Sequence, residues 1–252
     1  MKKYTKLPQE IELIAEGGKI LGDILRRTAE LVKPGISTAE LNDFAESEIV
    51  KAGGRPSFID YGERHNPFPA GLCTSINDAV VHGVPSHEDI LKEGDIIGLD
   101  IGMEYKGFYT DTAVTVPVGE VSAEAKKIID VTKKSLDAAL AQVRPGNTIG
   151  DIGYATQTVA ENSGYSVVRD LVGHGVGYAV HEEPNVPGYG VKGKGIVLIP
   201  DMVLAIEPMI CQNKPNIFFD TDGWTIRTQD GGLTAHFEHT IVVTEKGCRI
   251  LT

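Results

Sequence analysis

GDIIGLDIGMEYKGFYTDTAVTV, residues 94–116, reads as two β-strands joined by a turn, with one aspartate on each strand. Ile96, Ile97 and Leu99 on the first side, and Ala113, Val114 and Val116 on the second, suit half-buried strands, and Gly107 marks the turn. A loop of Tyr105-Lys106, or of residues 104–107, centres the hairpin between residues 105 and 106. That centre sets Asp100 directly opposite Asp111 on one face of the sheet, with Cβ atoms roughly 5 Å apart. Like charges so placed are destabilising unless one carboxylate keeps a proton or a cation lies between them.

The surrounding chain has 252 residues, 41% of them hydrophobic, and can bury a substantial core. Its 29 glycines suit an α/β protein with many turns. A net charge of −11, with no basic run of five residues, argues against nucleic acid as the main ligand. Cys73, Cys211 and Cys248 are odd in number, far apart and free of any CxxC spacing, which fits a reducing cytoplasm. The start MKKYTKLPQEIELI lacks the apolar core of a signal peptide, and no segment approaches 18 apolar residues, so no membrane span is expected.

Helical periodicity runs over residues 8–32 and stops at Lys33-Pro34-Gly35. Ser37 and Thr38, followed by Glu40, cap a second helix that ends near Gly53-Gly54. A loop rich in glycine, proline and aromatics spans 55–71, then a strand is expected over 72–76. From Ser122 the plan repeats: a helix over 125–143, a stop at Arg144-Pro145-Gly146, and a helix opened by Thr148 that ends near Gly164. At this offset of 111 residues, Leu25 falls on Leu136, Leu41 on Ile152 and Gly53 on Gly164. Ala79-Val80-Val81-His82 likewise echoes Tyr178-Ala179-Val180-His181 as a strand leading to a histidine, and the segment before Asp100 echoes that before Glu207. The expectation is an internal duplication, with α+β halves of roughly 1–121 and 122–252 sharing one sheet in a single catalytic domain.

The second half carries three polar positions in apolar or glycine-rich surroundings: His174 in GHGVG, Glu207 in AIEPM and Glu238 in AHFEHTIVV. Alone, a mid-strand glutamate ordinarily lies on a solvated face, and a histidine among glycines is ordinarily a turn residue. Four strand carboxylates and one such histidine are not independent accidents. Oxygen-rich ligation with a single imidazole suits Mn²⁺, Fe²⁺, Co²⁺ or Zn²⁺. Four carboxylates balance two divalent ions, whereas one ion leaves a large buried negative excess. The pair Asp100 and Asp111 is therefore expected to face cations rather than to share a proton.

The ordered set Asp100, Asp111, His174, Glu207 and Glu238 resembles the ligands of the type I methionine aminopeptidases, which have the pita-bread fold. The likeness extends through PQEIELIAEGGKI, VKPGISTAELN, CTSINDAVVHGVP, HEEPNVPG, IEPMI and FEHTIVVTEKG. It implies a curved, mostly antiparallel sheet flanked by helices, built from two pseudo-symmetric halves. It also implies a dinuclear site with Asp111 and Glu238 bridging, whose hydroxide attacks the first peptide bond. Glu207 is then the general base, His181 steadies the carbonyl oxygen, and His82 contacts the leaving-group side. The implied substrate is the N-terminal methionine of nascent chains, handled in the cytoplasm by a monomer. Association with the ribosome is a family trait that an acidic chain without a basic extension supports only weakly.

Cys73 and Trp224 match residues that line the methionine pocket in that family. Phe68 stands where tyrosine is usual, His65 replaces another aromatic and Val180 replaces a phenylalanine, so pocket shape is the open point. An Xaa-Pro aminopeptidase or dipeptidase shares fold and ligands, but those enzymes usually carry Glu-Pro-Gly, and an Asp after the last glutamate. Here the residues are Glu207-Pro208-Met209 and Glu238-His239. A metal-free peptide-binding module would lack ligands that are all present, and a creatinase-like hydrolase finds no support in the length.

Overall fold

The computed structural model describes residues 2–252. Four helices, α1 (Pro8–Glu30), α2 (Thr38–Lys51), α3 (Ala123–Leu140) and α4 (Ile149–Asn162), lie in the expected places. Ser37 caps α2: its hydroxyl accepts from the Glu40 N–H at 3.2 Å while the Glu40 carboxylate accepts from the Ser37 N–H at 2.9 Å. At the start of α4, Asp151 accepts from both the Thr148 N–H at 2.8 Å and the Thr148 hydroxyl at 2.7 Å. Beyond the first helix of each pair, Gly35 and Gly146 have φ of 91° and 90°. Ser37 and Thr148 each form one isolated bridge, to Ile90 and Val197.

A nine-stranded antiparallel sheet runs through both halves. Arg55–Pro56 and Leu72–Ile76 pair with Ile96–Tyr105, which pairs with Phe108–Pro117. Phe108–Pro117 meets Glu238–Val243, which also pairs with Cys248–Ile250, and then come Val203–Ile206, Gly173–Gly175 and Glu182–Val186. The halves therefore join where Ala113 pairs with Glu238 and Thr112 with His239.

The helices cover one face. Ile97, Leu99, Ile101 and Met103 alternate with Asp100 and pack on Leu21, Ile24 and Leu25 of α1 and Leu41, Ala45 and Ile49 of α2. Leu204, Ile206, Ile241 and Val243 pack on Leu136 and Ala139 of α3 and Ile149 and Ile152 of α4. Each fully buried aliphatic side chain contributes roughly 1.5–3 kcal/mol relative to exposure, which anchors the strands and fixes which face remains for chemistry.

Two expectations are corrected. The hairpin turns at Lys106-Gly107, not around the 105/106 midpoint, because Tyr105 pairs with Phe108. Lys106 at φ 51° and Gly107 at φ 86° form the tight turn whose twist matches that of the strands. Asp100 consequently pairs with Ala113 and Asp111 with Gly102. The aspartates are diagonal neighbours instead of direct partners, yet they keep a common face because the register moved by an even number. The second correction concerns residues 178–180, which form bends and no strand, unlike Ala79–Val81. His82 sits at φ 57° and His181 does not share that conformation.

Candidate metal centre

Strand pairing collects the five expected ligands on one face. Directly opposed residues share a face, as do residues two apart on a strand. The pairs Asp100–Ala113 and Ala113–Glu238 carry the face of Asp100 and Asp111 across the junction between halves. The pairs Thr240–Ala205 and Ala205–His174 carry it to the far strands. Glu207 follows Val203–Ile206 by one residue, and the register Ile206–His239 continued by one sets it opposite Glu238.

One ligand atom each from Asp111, His174 and Glu238 lies within 4.8 Å of the other two. His174 Nε2 is 3.3 Å from Glu207 Oε1, and its Nδ1 donates to the Gly175 carbonyl at 2.9 Å, leaving Nε2 available as a ligand. All five residues line one cavity of about 270 Å³. Asp100 Oδ1, Asp111 Oδ1 and Glu238 Oε1 are buried without a hydrogen-bond partner among the described residues. Buried polar atoms are normally paired, and three orphaned acid oxygens in one cavity are costly. A divalent cation is the partner such a donor set fits.

The site's electrostatics agree. Burial raises Asp100 to about 6, with the Glu207 charge adding to the rise and His236 opposing it. Burial also pushes Asp111 and Glu238 well above the usual carboxylate range, reinforced in each case by the neighbouring acids. Glu207 differs: burial works upward, but His236 and His174 outweigh it and hold Glu207 below its ordinary value. It is thus the most readily ionised carboxylate of the group, and in that form it can accept a proton. His236 Nε2 lies 3.5 Å from Glu207 Oε2, long for a hydrogen bond but close enough for the carboxylate to raise the imidazole against burial. His236 is absent from the set expected from sequence, although it stands two residues before Glu238 and period-two alternation gives both the same face.

The cavity's other walls come from Phe58, Tyr61, Phe68, Cys73, His82, His181 and Trp224, among others. Phe68 and Trp224 meet edge to face with ring centroids 5.3 Å apart. Cys73 pairs with Asp100, which places it beside the carboxylates. Burial lowers His82 to about 4, and burial together with His174 does the same for His181, so both are neutral imidazoles near pH 7. Val180 is buried behind the wall, packed with Phe58, Phe68 and Cys73. The expectation for His65 is corrected. Its side chain is 79% exposed, beside Glu63 at the tip of a small hairpin, and does not line the cavity. Tyr61 lines it instead.

The loop that carries His181 is tied to the chain's start. Lys6 Nζ lies 2.6 Å from Glu182 Oε2, with side-chain exposures of 2% and 18%. Glu182 Oε1 accepts from the Tyr178 and Ala179 N–H groups. Removing one partner of a withdrawn pair leaves the other charge uncompensated. Lys6→Met is therefore expected to destabilise the fold by roughly 3 kcal/mol. Calorimetry checks this, and a Tm within about 2 °C of wild type contradicts it.

Residues 12–245 match metallopeptidase family M24. The chain belongs to that family. It is accordingly a metal-dependent hydrolase by descent. It is 45% identical over 247 residues to methionine aminopeptidase 1 of Bacillus subtilis, covering 98% of each chain. It is 43% identical to methionine aminopeptidase B of Synechocystis, covering 97% of this chain and 89% of that protein. The crystal structure of methionine aminopeptidase from Thermotoga maritima superposes with a TM-score of 0.95 at 40% identity, covering 98% of both chains. The prolidase from Pyrococcus horikoshii shares the pita-bread fold, with a TM-score of 0.79 at 23% identity, and this chain spans 64% of it. Among the described residues no helix is long and apolar enough to cross a membrane.

Proposed function

We propose that the protein is a methionyl aminopeptidase that removes N-terminal methionine, with Asp100, Asp111, His174, Glu207 and Glu238 holding two divalent ions. One observation carries this reading: a single cavity is lined both by the five ligands and by Phe68, Cys73 and Trp224. A cavity lined in both ways suits an apolar side chain with its adjoining peptide bond beside the carboxylates. The ions, when bound, supply Lewis acidity toward the carbonyl and the counter-charge for four acids. Two are proposed because the four carboxylates carry four charges. The metal, among Co, Mn, Fe and Zn, follows from no residue here.

The chain's own groups do the rest. Asp111 and Glu238, diagonal neighbours across the junction of the halves, would give the ions a carboxylate from each half. Ionised Glu207 takes the proton of the attacking water and returns it toward the leaving amine. Neutral His181 offers a hydrogen bond to the carbonyl oxygen, and His82, which lines the same cavity, contacts the amide on the leaving-group side. Phe68, Cys73 and Trp224 hold the methionine side chain, with Val180 supporting them from behind. Ligands from both halves make the chain one catalytic domain, and the matched cap and glycine positions of the helix pairs support duplicated halves of 1–121 and 122–252. A monomer working in the cytoplasm on chains leaving the ribosome is the setting that suits this substrate.

The test is direct. The protein is stripped of metal, reloaded with Mn²⁺ or Co²⁺, and given Met-Ala-Ser and Ala-Pro-Ala. Cleavage of the first alone is expected. Cleavage of the second alone moves the chain to the Xaa-Pro peptidases, and inertness to both makes it a binding module.

A further inference from the structure

His181 is wedged between two rings. Its centroid lies 4.3 Å from that of His174 on one side and 5.0 Å from that of Tyr61 on the other. Tyr61 also reaches it with a polar atom, the hydroxyl standing 2.6 Å from His181 Nδ1. This contact is not a loose surface encounter, although 40% of Tyr61 is exposed. The Tyr61 N–H donates to the Phe58 carbonyl at 3.0 Å, and its carbonyl accepts from the Phe68 N–H at 2.8 Å. Both neighbours are themselves cavity walls. The next residue, Gly62, lies so close on Trp224 that a Cβ there would fall 2.5 Å from the indole Cη2. Trp224 Nε1 in turn donates to the Asn66 carbonyl at 3.1 Å. The loop is thus seated on the cavity rim at both ends.

We propose that the Tyr61 hydroxyl donates to His181 Nδ1, which makes Tyr61 a positioning residue that holds the ring proton on Nε2. The inference rests on the role proposed above for His181. A neutral imidazole has one N–H, and the partner of one nitrogen decides where that proton sits. With Nδ1 accepting from Tyr61, Nε2 must carry it and becomes the donor that a substrate carbonyl needs. The same bond prevents the ring from turning over, because a flip would set Cδ2 against the hydroxyl. Nothing in the local sequence distinguishes Tyr61 from other residues of the 55–71 loop; the assignment comes from where the loop docks.

Tyr61→Phe keeps the ring and its packing and removes only the hydroxyl. In the Mn²⁺-loaded enzyme acting on Met-Ala-Ser, kcat is expected to fall about tenfold, the kinetic weight of one hydrogen bond, with KM changed less than about twofold. His181→Ala falls further, and the double variant is no slower than His181→Ala, since the hydroxyl acts only through the imidazole. In the Zn²⁺-loaded protein, ¹⁵N shifts of the His181 ring place the proton on Nε2 in the wild type and on both nitrogens in Tyr61→Phe. A wild-type kcat in Tyr61→Phe, losses that multiply in the double variant, or a ring protonated on Nδ1 each overturn the proposal. A wild-type rate in His181→Ala overturns the role of His181 instead, and the ¹⁵N shifts still decide whether Tyr61 donates.

Discussion

Asp111→Asn is expected to lower kcat/KM for Met-Ala-Ser by on the order of a thousandfold, about 4 kcal/mol in transition-state stabilisation, and to lower bound Mn²⁺ in parallel. Asp111 is 4% exposed, with one oxygen unpartnered, and shares the 4.8 Å cluster with His174 and Glu238. An amide keeps the shape and removes the charge that a bridging ligand must supply. Metal content by atomic absorption separates the two ways of losing activity. Full occupancy with lost rate would make Asp111 a catalytic group alone, and full occupancy with full rate would sink the assignment. Misfolding is distinguished as well. Burial and the neighbouring acids oppose ionisation of Asp111, so the metal-free variant is expected to melt at or above metal-free wild type at pH 8. A lower Tm there would mean that the substitution damages the fold itself.

Metal-free protein is expected to lose stability as pH rises above about 6.5, and divalent metal is expected to reverse that slope. Asp111 and Glu238 have folded pKa values raised well above the ordinary one. A group so raised contributes stability that is complete below its unfolded value and is lost as pH climbs through its folded value. His236, raised by Glu207 and Asp100 against burial, acts in the same direction. Below about pH 6.5 other groups intervene. His82 and His181, lowered to about 4, and His239, also lowered by burial, give stability that disappears on acidification. They oppose the loss from Asp100, which runs from its ordinary value to about 6. The metal-free curve therefore peaks near pH 6 and then falls by about 1.4 kcal/mol per pH unit for each proton that the folded site keeps and the unfolded chain has released. With Mn²⁺ present the ions replace those protons, so Tm rises over the same range. Calorimetry from pH 5 to 8.5, with and without metal, reads both slopes. A metal-free Tm that rises between pH 6.5 and 8.5 would show that the carboxylates do not face one another unpaired.

Much of this arrangement was legible before folding because it depends on local periods. Ser37 with Glu40, and the Pro-Gly stops after each first helix, act within a few residues, and the helices begin and end where those signals stand. Alternation of period two put Asp100 and Asp111 on a common face, and that survived a shift of the turn because the shift was even. The turn itself had a signal: two-residue hairpin loops favour glycine in their second place, which Lys106-Gly107 satisfies and Tyr105-Lys106 does not. His236 too stood two residues from Glu238.

Contacts between distant segments had no such trace. The ligands from the two halves meet only because Phe108–Pro117 pairs with Glu238–Val243, more than a hundred residues away along the chain. Which side chain of the 55–71 loop reaches the cavity depends on Gly62 resting on Trp224 and on Tyr61 being clamped between Phe58 and Phe68. The family resemblance points to His65 in that loop and not to Tyr61, yet the His65 side chain ends in solvent and that of Tyr61 on His181. Residue types and their local spacing thus determined the helices, the shared face and the donor chemistry. Register across the junction and the docking of the rim loop were decided by tertiary packing, because their energies come from partners that no local window contains.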